Sequence, residues 1–96
     1  MAPRFGWDEV KRRSNYQKHA IDFADVDVAF DDPGAVIEED ESERYGEARF
    51  KIVAIVDAQL LSIVFTERDD IIRIISARPA TKREKVNYAS SQNYSS

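Results

Sequence analysis

Residues 49–78 contain three apolar runs separated by very short polar breaks, and this pattern constrains the fold more than any other feature of the chain. The β-branched and aromatic residues of RFKIVAIVD, LLSIVFTER and IIRIISAR are typical of β-strands. The breaks at 57–59 and 69–70 are short enough for hairpin turns, although neither contains glycine. We therefore expect an antiparallel meander, and AVIEE at residues 35–39 predicts a further short edge strand.

Two helices are predicted before this sheet. The segment WDEVKRRSNYQKH, residues 7–19, has Asp8 as a candidate N-cap and contains no glycine or proline. The segment DFADVDVAFDDPG, residues 22–34, begins with a candidate cap at Asp22 and ends at Pro33-Gly34. The apolar face of the second helix would comprise Phe23, Val26, Ala29 and Phe30.

A third helix is predicted after the sheet. Thr81 and Glu84 have the spacing of a capping box, so this helix should begin at about residue 82. The predicted fold is α+β: a small antiparallel sheet of about four strands, with two N-terminal helices and one C-terminal helix. The length of 96 residues fits one domain, which we place at residues 1–88, with a flexible tail at 89–96.

The charge distribution is strongly segmented. Residues 1–19 carry five basic and two acidic side chains, residues 20–47 one and eleven, and residues 48–96 eight and five, giving net charges of +3, −10 and +3. If the outer segments pack together, they form a basic face that suits an anionic ligand. The acidic segment would repel such a ligand from one side or bind a basic segment of a partner.

Several classes of function lack support in the sequence. The chain has no cysteine, which excludes thiolate catalysis and thiolate metal ligands. No metal-binding spacing, phosphate-binding glycine loop or serine-hydrolase motif is present, so we expect no metal and no cofactor. No apolar stretch is long enough for a membrane span and no signal peptide is evident, so a cytoplasmic protein without membrane contact is predicted.

Five motifs in consistent order resemble the BrnT family. They are W-D-x-x-K-x-x-x-N-x-x-K-H-x-I-x-F at 7–23, F-D-D-P at 30–33, E-x-R-F at 47–50, L-L-x-I-V-F-T-E-R at 60–68 and I-R-I-I-S-A-R-x-A-T-K-R-E at 72–84. The resemblance implies a RelE- or ParE-like fold and a ribonuclease toxin of a type II toxin–antitoxin pair. It also implies a BrnA-like ribbon-helix-helix antitoxin as partner, with promoter DNA bound only through that antitoxin. The chain departs from the family pattern at Ala20, where the family usually has glycine, and at Glu9, where it often has proline.

Metal-independent RNA cleavage needs proton transfer and cations around the phosphate, and this chain can supply both. His19 is the only histidine, and histidine is the side chain best suited to acid–base work near neutral pH. We predict His19, Arg73 and Arg78 as catalytic residues. Residues predicted to bind RNA are Lys11, Lys18, Arg49 and Arg68.

Each of these predictions has an alternative. His19 could instead cap or complement the end of a helix. Helical periodicity places Lys11, Asn15 and Lys18 in one stripe along the first helix, and the two lysines could be solvated helix-surface residues. Arg73 could form an ion pair with Glu67 or Glu47. Regular strand alternation would also place Arg73 and Arg78 on opposite faces, so that both serve one site only if the strand bulges or Arg78 lies beyond its end.

The function itself has an alternative. The chain could be a non-catalytic binding module, either a degenerate toxin that only binds its antitoxin or a poison that occupies its target as ParE-like relatives do. The absence of the family glycine after His19 favours this second hypothesis, because a different residue there could aim the imidazole differently.

Overall fold

The computed structural model describes residues 3–44 and 47–93, which form a five-stranded mixed sheet with helical elements. In chain order the elements are β1 (Arg4–Trp7), α1 (Glu9–His19), two 3₁₀ turns (Phe23–Asp25 and Asp27–Asp31), β2 (Val36–Arg44), β3 (Glu47–Val56), β4 (Gln59–Arg68), β5 (Ile71–Pro79) and α2 (Lys82–Asn93). The strand order is β1-β5-β4-β3-β2, with β1 parallel to β5 and the other neighbours antiparallel. The predicted α+β class and the meander of β3, β4 and β5 are confirmed.

Both hairpin turns of this meander use left-handed residues without glycine. Asp57 and Ala58 have φ angles of 49° and 64°, and Asp69 and Asp70 have φ angles of 53° and 64°. Two consecutive left-handed residues match the twist of the flanking strands. Aspartate tolerates this conformation better than most side chains, which explains three of the four positions. Ala58 has no such advantage.

The prediction of about four strands, all antiparallel, is wrong in one respect, since β1 adds a fifth and parallel strand. Arg4 to Trp7 pair in register with Ile71 to Ile74 of β5. This strand has only four residues and includes Gly6, so the local pattern gave no strand signal. The predicted short edge strand is present as β2 and is longer than expected.

The prediction of a second N-terminal helix is also wrong, because residues 23–31 form two 3₁₀ turns. The predicted cap is correct: Asp22 Oδ1 accepts a hydrogen bond from the Ala24 N–H at 3.0 Å. Phe23, Val26 and Ala29 recur every third residue, which is the period of a 3₁₀ helix. All three side chains are buried, at 1%, 0% and 0% exposure, so the predicted apolar face is right although the helix type is not.

The core lies on one face of the sheet, under these 3₁₀ turns. Its largest side chains from the strands are Ile52, Ile63, Phe65 and Ile74, and Phe30 packs edge-on against Phe65 with ring centroids 5.0 Å apart. Each such buried side chain contributes about 1.5–3 kcal/mol relative to an exposed one. The opposite sheet face carries polar side chains, and helix α2 covers part of it through contacts of Glu84 with Lys51 and Ser62. Within the described ranges, no helix has the length and hydrophobicity required to span a membrane.

Helix α2 begins at the predicted capping box. The Thr81 hydroxyl accepts from the Glu84 N–H at 3.2 Å, and the Glu84 carboxylate accepts from the Thr81 N–H at 2.9 Å. Further along, the Tyr88 hydroxyl donates to Asp32 at 2.8 Å, which ties the helix to the turn after the 3₁₀ segments. The helix continues to Asn93, into the segment predicted as a tail from residue 89, and residues 94–96 lie outside the described residues.

Candidate functional site

Asn15 holds helix α1 against the edge of β5. Strand β1 pairs with β5 only as far as Ile74, and no other described strand continues along that edge. The Asn15 amide takes the place of a strand there, because Nδ2 donates to the Ala77 carbonyl at 2.9 Å and Oδ1 accepts from the Ala77 N–H at 3.0 Å. Asn15 is buried, and its amide satisfies both backbone groups of Ala77. The helix is therefore fixed beside β5 by a backbone-like contact.

A cleft of about 390 Å³ opens between α1 and β5 next to this contact. It is lined by Val10, Lys11, Ser14, Asn15, Lys18 and His19 from the helix and by Ile75 and Ser76 from the strand. Residues spaced by four and three share one face of a helix, which explains why Lys11 and Lys18 lie on the same side. Three of the predicted site residues, His19, Lys11 and Lys18, thus line one cavity.

His19 is the last residue of α1, and its exposed imidazole makes no hydrogen bond or ion pair within residues 3–44 and 47–93. The helix is terminated instead by Ala20, whose N–H donates to the Tyr16 carbonyl at 2.8 Å. Ala20 is left-handed, with φ 57° and ψ 30°. Alanine therefore adopts the conformation that the family glycine would adopt, and the helix ends in the usual way. A cationic His19 would also complement the negative end of the helix dipole, so both interpretations of His19 fit its position.

Strand β5 contains a bulge that changes which residues share a face. Val64 of β4 pairs with Ser76, whereas the next residue, Phe65, pairs with Ile74, so Ile75 is an extra residue on β5. The alternation of side chains shifts by one position at Ile75. The bulge lies in the cleft, since Ile75 and Ser76 line it.

Because of the bulge, Arg73 and Arg78 lie on the same face of the sheet. They pair with Thr66 and Ser62 of β4, which share a face because they are four residues apart on a regular part of that strand. Regular alternation predicts opposite faces for the two arginines, and the bulge is the physical reason that this does not hold. Lys51 and, two residues earlier, Arg49 share this face through the pairing of Lys51 with Val64. We call the surface that bears Arg49, Lys51, Arg73 and Arg78 the cationic face.

Arg78 is held by the buried carboxylate of Glu84. Its Nη1 and Nη2 donate to the two Glu84 oxygens at 2.8 and 3.0 Å, and the Glu84 side chain is only 8% exposed. Lys51 Nζ lies 3.0 Å from the same carboxylate, and the Ser62 hydroxyl donates to it at 3.3 Å. The hydrogen bonds from Arg78, assisted by the Thr81 N–H and Lys51, hold the pKa of the Glu84 carboxyl well below its usual range. Glu84 thus fixes the orientation of two cations as well as capping α2.

The other predicted arginines differ in their surroundings. Arg73 is exposed and forms no ion pair within the described ranges, so the alternative pairing with Glu67 or Glu47 is not present. Arg68 instead binds Glu47 at 2.8 Å. Arg49 is half-buried, and its Nε is buried without a hydrogen-bond partner among the described residues. Arg73 is therefore more available to a ligand than Arg68.

The arginines do not line the cleft that contains His19. Arg78 and Lys51 border a second cleft of about 430 Å³, whose other lining residues are Glu38, Glu39 and Asp40 of β2 and Val64 of β4. One strand pair connects their linings, since Ser76 of β5, in the first cleft, pairs with Val64 of β4, in the second. The first cleft has a basic lining and the second a mixed one, so they differ in the ligands they favour.

Three residues of this region escaped the sequence prediction or received a different role. Lys51 was not singled out, although its alternation with Arg49 in β3 is a signal for one shared face. Asn15 was grouped with the exposed lysines of α1, but it is buried and structural. Glu84 was predicted only as a capping residue, and nothing in the local sequence indicates its contact with Lys51. Within the described parts of the chain, no three histidine or acidic side chains are grouped closely enough to hold a metal ion.

Comparison with known proteins assigns the chain to a family. The sequence profile of a family described as "Ribonuclease toxin, BrnT, of type II toxin-antitoxin system" matches residues 7–84. This range includes α1, strands β2 to β5, the last residue of β1 and the first turn of α2, and hence every residue of both clefts. No curated protein matches the sequence. Since the profile covers most of the chain, the protein belongs to the BrnT family of type II toxin–antitoxin ribonuclease toxins.

Proposed function

We propose that this chain is a metal-independent endoribonuclease that cleaves cellular RNA, inhibits translation and is neutralised by an antitoxin. One observation carries the proposal: His19, Lys11 and Lys18 line a single cleft beside the β5 bulge. An imidazole can perform one of the two proton transfers of phosphodiester cleavage by an internal hydroxyl, and two ammonium groups can stabilise its transition state.

In the proposed reaction, the ribose 2′-oxygen attacks the adjacent phosphorus and displaces the 5′-oxygen of the next nucleotide. One proton leaves the 2′-hydroxyl and one is added to the 5′-oxygen, and His19 performs one of these two transfers. Lys11 and Lys18 stabilise the additional negative charge on the phosphorane-like transition state. The products are a 2′,3′-cyclic phosphate and a 5′-hydroxyl end.

The cations of the sheet bind the flanking RNA. Arg73 lies nearest in sequence to the bulge and has an uncommitted guanidinium, so it is the strongest candidate for contact with the reacting phosphate. Arg78 is oriented by Glu84 and would bind a neighbouring phosphate through the N–H groups that Glu84 leaves free. Arg49 and Arg68 would bind further phosphates of the RNA along the sheet. The phosphate contact of Arg68 would be weaker, because Arg68 already pairs with Glu47.

The partner and location follow from the family. A type II toxin has a protein antitoxin, and we propose a BrnA-like ribbon-helix-helix protein through which the complex binds its promoter DNA. Both the RNA substrate and such a partner would be met in the cytoplasm.

The proposal is tested by purified protein and a defined RNA in the presence of a chelator. His19→Ala should lower cleavage at least about 100-fold, the usual range for loss of an acid–base group. Lys11→Ala and Lys18→Ala should each lower it about tenfold or more. Arg13→Ala is a matched control, because Arg13 is an exposed cation on the same helix that lines a different cleft, with Glu9 and Asp22. If His19→Ala cleaves RNA as fast as the unaltered chain, the assignment is wrong.

A non-catalytic binding module is the second candidate, and the engagement of Arg78 favours it. Both terminal nitrogens of Arg78 already bind Glu84, which leaves less of this guanidinium for a transition state. In this case RNA stays intact in the chelator assay, while induced expression still arrests growth or the chain still binds its antitoxin. Cleavage that is lost in His19→Ala would exclude it.

A further inference from the structure

The outer edge of β2 is open. β2 is the last strand in the sheet order, and no described strand pairs with its outer side. It has nine residues from Val36 to Arg44, of which Val36 to Asp40 pair with β3 in regular register before the register shifts. Its backbone N–H and C=O groups on that side therefore offer a template for one more strand.

The edge carries two exposed acidic side chains that are weakly paired or unpaired among the described residues. Glu38 and Glu39 are both exposed. The only ion pair of Glu38 within the described ranges is to Lys51, at 4.0 Å, and Glu39 has none. β2 also belongs to the segment of residues 20–47, whose eleven acidic and one basic side chains give a charge of −10. The segment that contains this edge is thus strongly acidic, which favours a cationic partner over an anionic one.

The acidic charge of this edge determines which kind of partner can bind there. RNA is repelled, and a second copy of β2 would place acidic side chains opposite each other, which is unfavourable across a strand pair. A basic polypeptide satisfies both the backbone groups and the carboxylates. Ile37, which precedes Glu38 on the strand and is 56% exposed, offers an apolar contact to a side chain of the added strand.

We propose that β2 is the docking edge for an extended basic segment of a protein partner, which adds to the sheet as a sixth strand. The identification of that partner as the antitoxin rests on membership of the family, whereas the docking itself does not require RNA cleavage. An added strand would lie next to the cleft that Glu38, Glu39 and Asp40 share with Lys51 and Arg78. A partner in this place would obstruct RNA at the border of the cationic face, and it would do so without touching His19.

The test uses the full chain and a nine-residue peptide of alternating lysine and valine, without RNA. Titration at low ionic strength, followed by backbone amide NMR, should shift the amides of residues 36–40 most strongly. A peptide of the same sequence that is N-methylated at alternate residues keeps the charge but cannot donate to a strand, so its affinity should fall at least about tenfold. A glutamate–valine peptide should not bind.

Two variants separate the edge from general charge. Glu39→Lys should weaken the lysine–valine peptide about tenfold, because an attractive cross-strand pair becomes a repulsive one. Asp27→Lys makes the same charge change on an exposed residue of the 3₁₀ turn, off the edge, and should change the affinity less than about twofold.

Four results would overturn the proposal: no binding of the lysine–valine peptide, equal binding of its N-methylated form, amide shifts centred away from β2, or equal effects of the two variants. A failure in RNA cleavage would leave all of these measurements unaffected, so the docking edge and the proposed nuclease can fail separately.

Discussion

Replacing Ala20 with glycine should stabilise the protein, because Ala20 ends helix α1 in a left-handed conformation at φ 57° and ψ 30°. This conformation costs a residue with a Cβ about 1–2 kcal/mol, and glycine does not incur the cost. Glycine also destabilises the fold by about 0.4–1 kcal/mol, because it gives the unfolded chain more conformational freedom. The net expected gain from Ala20→Gly is therefore about 1 kcal/mol in the free energy of unfolding.

Chemical denaturation and thermal unfolding followed by circular dichroism would measure this change. For a domain of this size, 1 kcal/mol corresponds to a rise in Tm of about 4–8 °C. Ala58→Gly is a matched control with φ 64° in a hairpin turn far along the chain, and it should give a similar gain. Ala89→Gly, at an exposed position inside α2, should instead lose about 1 kcal/mol.

The same pair of variants tests whether Ala20 affects the candidate site. Ala20 already has the backbone conformation that glycine would adopt, so His19 should keep its direction, and RNA cleavage by Ala20→Gly and Ala58→Gly should agree within about twofold. An unchanged or lowered Tm in Ala20→Gly, beside a raised Tm in Ala58→Gly, would refute the strain argument. Faster cleavage in Ala20→Gly alone would show that alanine does misdirect His19.

Three further predictions concern the contacts that support the site. Asn15→Ala should cost about 2–4 kcal/mol, since it leaves the buried N–H and C=O of Ala77 unpaired, whereas Gln17→Ala on the exposed side of the same helix should cost less than about 0.5 kcal/mol; urea unfolding would distinguish them. A hydrogen bond from Arg12 lowers the pKa of Asp22 to about 2. The stability that this pair contributes is therefore complete above about pH 4 and is lost as the pH falls through about 2. In acid-unfolding curves, Asp22→Asn should be less stable than the unaltered chain at about pH 6, and the two should become equally stable below about pH 2. Glu84→Gln keeps an acceptor for the capping box but loses the charge that binds Arg78, so it should be less stable than the unaltered chain at neutral pH. Because the pKa of Glu84 is lowered in the folded state, this difference in the free energy of unfolding should become smaller as the pH falls below about 4.5, which acid-unfolding curves would measure.

Local patterns predicted the elements that depend on local forces. The meander follows from β-branched runs and short polar breaks, and the caps at Asp8, Asp22 and Thr81 follow from the spacing of side chains and backbone donors within one turn. Strand β1 could not be predicted in the same way, because its strand partner among the described residues is β5, more than 60 residues later in the chain. Long-range pairing of a four-residue segment leaves no periodicity in the sequence.

The candidate site was predictable to a similar degree. His19, Lys11 and Lys18 lie together because they share one helix, and helical periodicity is sufficient to group them. The orientation of Arg78 was not predictable, since it depends on Glu84, which reaches it from another element. Asn15 is buried, unlike the lysines of its stripe, because it binds the part of the β5 edge that β1 does not cover, and this edge is known only from the sheet order.

The bulge at Ile75 and the contact of Asn15 with Ala77 both occur where β5 changes its neighbour from β1 to α1. β1 ends its pairing at Ile74, so from that point β5 needs another neighbour, and α1 supplies it through Asn15 at Ala77. With regular alternation Ala77 would face the side of Arg73, but the extra residue turns it to the core, where it is fully buried. The same shift brings Arg78 to the side of Arg73. A cationic face continuous along β5 therefore follows from the way that the strand changes its neighbour from β1 to α1.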